Sequence, residues 1–189
     1  EYLAYKLACI IQYPVPKIQF LKFGELGVIS FNIPESVVFQ GFPKDNLLNL
    51  LVDNKVFAKI AAFDFWIKST DRHDRNLIVQ RVGMNQYKVF MIDHEHSLYG
   101  VDATQPNILD FSNIIKIADF KNYIPNQDML IEEANTISNV TDEEITNLVE
   151  SVRSTSDGVL TEECANIIKD LLVQRKPLLQ EKLIEWYNS

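Results

Sequence analysis

The chain has 189 residues, 47% of them apolar and 23% charged, with a formal net charge of −8. Such a composition belongs to a folded domain with a real core and excludes a disordered chain. The acidic balance excludes a sequence-independent grip on nucleic acid, which needs a basic surface, although a local cation or metal can still hold a small anion.

The length suits one domain with room for a partial second lobe. Cys9 and Cys164 fit no CxxC or zinc spacing, so both are expected as buried thiols in a reducing, cytoplasmic compartment. No apolar run approaches the ~18 residues of a membrane span, so no membrane contact is expected. No signal-peptide pattern opens the chain, and Glu1 rather than Met stands first, so a further segment is expected ahead of it.

In chain order, "EYLAYKLACIIQ" puts Leu3, Leu7, Ile10 and Ile11 on one face of an amphipathic helix that Pro14 and Pro16 stop. "KIQFLKFGELGVISFNI" predicts two short strands around Gly24 and Gly27. Pro34 and "GFP" at 41–43 mark a connecting loop. "DNLLNLLVD" and "KVFAKIAAFDFWIK" are predicted helices, the second apolar almost all round, as a central helix would be, with Phe63 and Trp66 in the core. A polar cluster follows. "NLIVQRVGMNQYKVFMIDHEH" then predicts a β-hairpin turning at Gly83 and Asn85, its second strand ending in "IDHEH". The remainder is predicted helical. Thr141 and Glu144 form a capping box, Thr161 starts another helix, and Pro177 divides it.

The polar cluster is Asp71, Arg72, His73, Asp74, Arg75 and Asn76, held between two apolar flanks. Phosphoryl transfer from a nucleotide is mainly positioning and charge neutralisation: one carboxylate takes the proton of the attacking hydroxyl, and hard oxygen ligands hold Mg²⁺ against the phosphates. Asp71, Asn76 and Asp93 supply one base and two ligands. The spacing from Asp71 to Asn76 equals that from base to metal ligand in a protein-kinase catalytic loop, and a hairpin's ends lie about one strand spacing apart, ~4.8 Å, which returns Asp93 beside Asn76.

"FDFWIKSTDRHDRN" with "VFMIDHEHSL" resembles the catalytic loop and metal-binding segment of HipA-like kinases, within a group that includes the phosphoinositide kinases. "EYLAYKLACIIQYPVPKIQF" also resembles the HipA-like helix that leads into a Val-Pro turn. The likeness spans residues 1 to 100. It implies an α+β, kinase-like two-lobe fold with an incomplete small lobe: residues 1–33 as part of the N-lobe, residues 34–189 as a mostly helical C-lobe. It implies ATP and Mg²⁺ as cofactors, transfer to a protein Ser or Thr hydroxyl, Asp71 as base, and Asn76 and Asp93 as metal ligands. His73 either ties the loop to a carbonyl or steadies the transferring phosphate. The strand at Val28 to Phe31 becomes the hinge for adenine, with Phe31 and Asn32 as nucleotide contacts.

Arg72 and Arg75 are expected in loop ion pairs and Asp74 at the surface; of His94 and His96, at most one faces the site. Glu1 is either the acidic partner of a small-lobe lysine or a helix-starting carboxylate. Asp93 is followed by His94 and Glu95 where Phe-Gly is usual, and neither a "VAIK"-type lysine nor a glycine-rich phosphate loop is present. These elements are expected ahead of Glu1 or on a partner chain. Two other readings stay open: a non-catalytic, pseudokinase-like or split-kinase partner, and a metal phosphohydrolase built from His73, Asp74, Asp93, His94 and His96.

Overall fold

The structure is a computed structural model that describes every residue except 24, 25, 32, 99–107, 113, 118, 119 and 157; for 19–31 only the backbone is described. Helix α1 (Tyr2–Ile10) buries Leu3, Ala4, Leu7 and Ala8. The small residues at 4 and 8 complete the buried face, so Ile10, expected inside, is 45% exposed. Cys9 lies on the outer face and is exposed, and Cys164 is half-buried, so the expectation of two buried thiols fails.

Strands β1 (Ile18–Phe23) and β2 (Leu26–Phe31) pair antiparallel, with Gly27 inside β2 opposite Lys22 rather than in the turn. The loop expected after Pro34 contains a short strand, β3 (Ser36–Val38), and a 3-10 turn at Phe39–Gly41. The first predicted helix of the next segment shrinks to one turn, α2 (Leu47–Leu50).

The central helix α3 (Val56–Ile67) is helical because it lacks Gly and Pro and carries three alanines among long side chains. Every residue but Lys59 is buried, Asp64 included. It ends where Lys68 adopts a left-handed φ of 54° and Ser69 N–H bonds the Asp64 carbonyl at 2.9 Å, a helix stop that costs a non-glycine residue roughly 1–2 kcal/mol. Trp66 is fully buried and donates from Nε1 to Leu172 O at 2.9 Å.

The hairpin forms as predicted, from β4 (Leu77–Gly83) and β5 (Gln86–Met91), with β3 on the other side of β4; all pairs are antiparallel. Leu77, Ile78 and Val79 are buried in succession, so both faces of β4 are covered where it leaves the polar loop. Met91 N–H bonds Pro14 O at 2.8 Å, tying the hairpin to the chain after α1.

The segment expected to be helical after the hairpin is irregular as far as it is described, apart from a 3-10 turn at Phe120–Tyr123. Helices α4 (Gln127–Ser138), α5 (Asp142–Thr155), α6 (Glu162–Arg175) and α7 (Leu179–Asn188) follow. Thr141 and Glu144 make the reciprocal capping box, Thr161 caps α6, and Pro177 sits in the 3-10 turn between α6 and α7. One apolar core takes side chains from α1, from α3 and the hairpin, and from α4 to α7. No described helix is long and apolar enough to cross a membrane.

Candidate active site

The polar loop is built on a buried ion pair. Arg72 grips Asp64 of α3 with both faces of its fork, Nε to Oδ2 at 2.7 Å and Nη2 to Oδ1 at 2.9 Å, and both side chains are fully buried. Its remaining nitrogen, Nη1, donates to Asn76 O at 2.8 Å and Ile92 O at 2.9 Å. Arg72 thus clips the start of β4 to the chain leaving β5, while Asp64 neutralises it. Asp64 was not singled out from sequence, although a carboxylate inside "AAFDFWI" was the available signal.

Asn76 is 4% exposed, and its Nδ2 donates to Asp71 O at 3.0 Å. Because a carbonyl only accepts, this bond identifies the amide atom on the loop backbone as Nδ2 and leaves Oδ1 as the side chain's acceptor. No other side-chain bond of Asn76 is found among the described residues. Ile92 N–H bonds Asn76 O at 3.0 Å, so the residue before Asp93 pairs with Asn76. Asp71, Asn76 and the Asp93 arm are thereby joined in sequence by hydrogen bonds.

Asp93 is exposed and lies beyond the end of β5, with a left-handed φ of 57°. Aspartate tolerates that region better than most side chains but still carries strain, a conformation that concentrates at functional sites. His94 is buried at 2% exposure, edge-on to Phe63 at 5.7 Å between ring centres. Neither of its ring nitrogens has a hydrogen-bond partner; Glu1 Oε1 lies 3.5 Å from Nδ1. The firm tie between these residues is the His94 backbone N–H, which donates to Glu1 Oε2. Burial pushes His94 below its ordinary value, against the pull of Glu1. For Glu1, burial acts upward, but the His94 contacts outweigh it and hold the carboxyl at about 2. Glu1 therefore meets the Asp93 arm itself.

The Asp71 carboxylate is about one-third exposed and faces Lys116 and His73. Lys116 Nζ donates to Oδ1 at 3.0 Å, and His73 Nε2 stands 3.6 Å from Oδ2. His73 thus neighbours the carboxylate, and its Nδ1 is buried without a hydrogen-bond partner among the described residues. Burial would raise Asp71, but the Lys116 bond and charge, with His73 and His96 nearby, hold it below the usual carboxylate range. Lys116 was not foreseen: it lies 45 residues from Asp71, in a segment expected to be helical. Its backbone explains the approach, since Lys116 N–H bonds Arg72 O at 2.9 Å and Ile115 bridges Arg72 in parallel.

The other loop charges are engaged sideways. Asp74 pairs with Lys44 at 2.9 Å rather than standing free in solvent, and Arg75 Nε bonds the Gln40 side chain at 3.1 Å rather than a carboxylate. Thr70 N–H bonds His96 O at 3.1 Å and Leu98 N–H bonds Ile67 O at 2.6 Å, so the chain beyond Asp93 is sewn to the end of α3. Of the expected nucleotide contacts, Asn32 and the Phe31 side chain lie outside the described residues; the Phe31 backbone pairs with Ile18.

A solved kinase from Helicobacter pylori, the proinflammatory kinase CtkA, aligns with 100% of this chain and 86% of its own, at a TM-score of 0.65 and 14% identity. The fold is kinase-like. At that identity the likeness is one of fold. No protein-family model and no curated protein sequence matches the chain.

The chemistry of the loop suits Mg²⁺ and a nucleotide. Asn76 Oδ1 and the exposed Asp93 carboxylate are hard oxygens on adjoining backbone, a donor set that leaves most of an octahedral shell to phosphate and water. Among the described residues, no three His, Cys, Asp or Glu side chains group as a metal cage.

Proposed function

We propose that this protein is an ATP-dependent phosphotransferase of the HipA-like kinase type, moving the γ-phosphoryl of Mg-ATP to a protein Ser or Thr hydroxyl. The observation that carries this is the hydrogen-bonded run from Asp71 O through the Asn76 amide and carbonyl to Ile92 N–H, which joins the residue this reading takes as base to the two it takes as oxygen ligands. A kinase-like fold around that run supports it.

On this reading Asp71 orients the acceptor hydroxyl and takes its proton, while Asn76 and Asp93 hold Mg²⁺, which when bound neutralises and aligns the phosphates. His73, beside Asp71, lines the same approach. Residues 1–33 act as part of a small lobe, and Phe31 and Asn32 border the adenine. The grip over the phosphates comes from further sequence or from a partner chain. The phosphohydrolase reading lacks support, because among the described residues no three His, Cys, Asp or Glu side chains group to hold a metal ion, and His94 is buried against Phe63.

The test is Asp71→Asn in the full-length protein, read by autophosphorylation and by transfer of labelled γ-phosphate to dephosphorylated casein. Loss of a positioned base typically costs ~10²–10⁴-fold, and circular dichroism should be unchanged. Activity above half of the parent's removes Asp71 from the mechanism. Mg-ATP binding without transfer in the parent favours a non-catalytic partner subunit instead.

A further inference from the structure

Lys116 has the attributes of a phosphate-binding cation. Its backbone is pinned to the catalytic loop by the bond to Arg72 O at 2.9 Å, so its Cα stays beside Asp71 whatever the side chain does. Its side chain is 50% exposed, and the ammonium makes one described bond, to Asp71 Oδ1. A lysine is a compact charge on a flexible stem with three donors, so it can change partner without moving backbone.

The neighbouring cations are committed elsewhere. Arg72 is fully buried on Asp64 and two carbonyls, Arg75 bonds Gln40, and Lys44 bonds Asp74 and lies over the Phe39 ring at 4.8 Å. None of these three can swing to a phosphate over Asp71 without leaving a partner unpaired. Lys116 leaves only a carboxylate that a substrate hydroxyl is about to engage.

We infer that Lys116 is a catalytic residue of the transfer: from its contact with Asp71 it moves onto the γ-phosphoryl oxygens when Mg-ATP and the acceptor bind. This rests on the phosphotransferase reading above. A transferring phosphoryl concentrates more negative charge than one carboxylate, so it wins the ammonium. The step balances. The acceptor oxygen forms its bond to the γ-phosphorus as the bond to the β,γ-bridging oxygen breaks. ADP leaves with that electron pair, and the acceptor's proton goes to Asp71 and then to solvent. Lys116 stays protonated throughout.

The experiment compares Lys116→Ala and Lys116→Arg with Asp71→Asn in the full-length protein. Removing one donor to a developing oxyanion typically lowers kcat ~10²–10³-fold, and that loss is expected for Lys116→Ala with KM for ATP little changed. Lys116→Arg should recover part of it. A second measurement is independent of turnover: affinity for Mg-ADP alone and for Mg-ADP with aluminium fluoride, which mimics the phosphoryl in flight. Lys116→Ala should weaken only the latter. If Asp71→Asn is inactive while Lys116→Ala matches or exceeds the parent, Lys116 is a cover over the base and the inference falls while the phosphotransferase reading stands. Equal fluoride-complex affinity in Lys116→Ala and the parent also overturns it. If Asp71→Asn keeps its activity, the reading beneath falls and this inference with it.

Discussion

Replacing Asp64 by alanine leaves the Arg72 guanidinium charged in a fully buried site with two of its four described bonds gone. Removing one partner of such a pair typically costs roughly 3–5 kcal/mol. For a chain of this length each kcal/mol lowers the melting midpoint by roughly 2–4 °C, so a fall of roughly 6–20 °C is expected by calorimetry. The informative variant removes both charges, Asp64→Leu with Arg72→Met. With no buried charge remaining, the chief deficit is the Ile92 carbonyl, since Asn76 O still accepts from Ile92 N–H. One unpaired buried acceptor costs about 1–3 kcal/mol, placing the double variant between the parent and Asp64→Ala. Phosphoryl transfer should nevertheless fall by ~10²-fold or more, because the clip that aligns Asn76 with the Asp93 arm is gone and small misplacements of reacting groups cost that much. A double variant as unstable as Asp64→Ala would show that charge pairing is not what the two residues contribute. One with parental activity would show that the clip does not align the site.

Two further variants probe the frame around the site. Tyr13 donates its hydroxyl to Glu133 Oε2 at 2.8 Å, and burial raises the Glu133 carboxyl above 4.5. The folded protein then holds that proton more tightly than the unfolded chain, so the parent loses stability as pH rises from 4.5 through the raised value. Glu133→Gln, whose amide oxygen can still accept from Tyr13, should melt higher than the parent at pH 7 and equal it at pH 4; parallel melting curves across that range would refute this. Arg175 is fully buried and among the described residues donates only to carbonyls, to Phe65 O and to Ile108 O and Asp110 O, and burial pushes it down to about 9, which leaves it charged at neutral pH. Arg175→Lys cannot reproduce that fork and should cost about 2–4 kcal/mol in urea unfolding, with faster proteolysis near residues 108–112; an unchanged midpoint would refute it.

Those parts of the fold written as local periodicity were legible in the sequence. The apolar run of α3, the Gly83–Asn85 turn and the Thr141–Glu144 box each state their structure within a few residues. The described irregular residues between 108 and 117 are expected as helix from sequence because their shape is set from outside, by Arg175 holding the carbonyls of Ile108 and Asp110 and by Arg72 bridging Ile115. No local pattern records such a tie. Lys116 was missed for the same reason. It meets Asp71 through that bridge and not through sequence spacing. In α1 the failure was one of scale, since alanines carry little weight in an apolar pattern, yet Ala4 and Ala8 are fully buried and Ile10 is not.

The crowding of charge in "DRHDRN" has an answer in how the loop divides its labour. Arg72 faces inward and is spent on structure, Asp74 and Arg75 brace the loop against Lys44 and Gln40, and Asp71 and His73 stand outward with Lys116. Asn76 does both, its backbone carbonyl joining the ladder and its amide nitrogen holding the loop. Asp93 and His94 part after the hairpin, one exposed and one buried. Strand β5 ends at Met91, and the parting comes from the left-handed turn at Asp93, held by Arg72 on Ile92 O before it and by Glu1 on His94 N–H after it. A strained residue pinned on both sides cannot relax into the strand, and its side chain stays exposed.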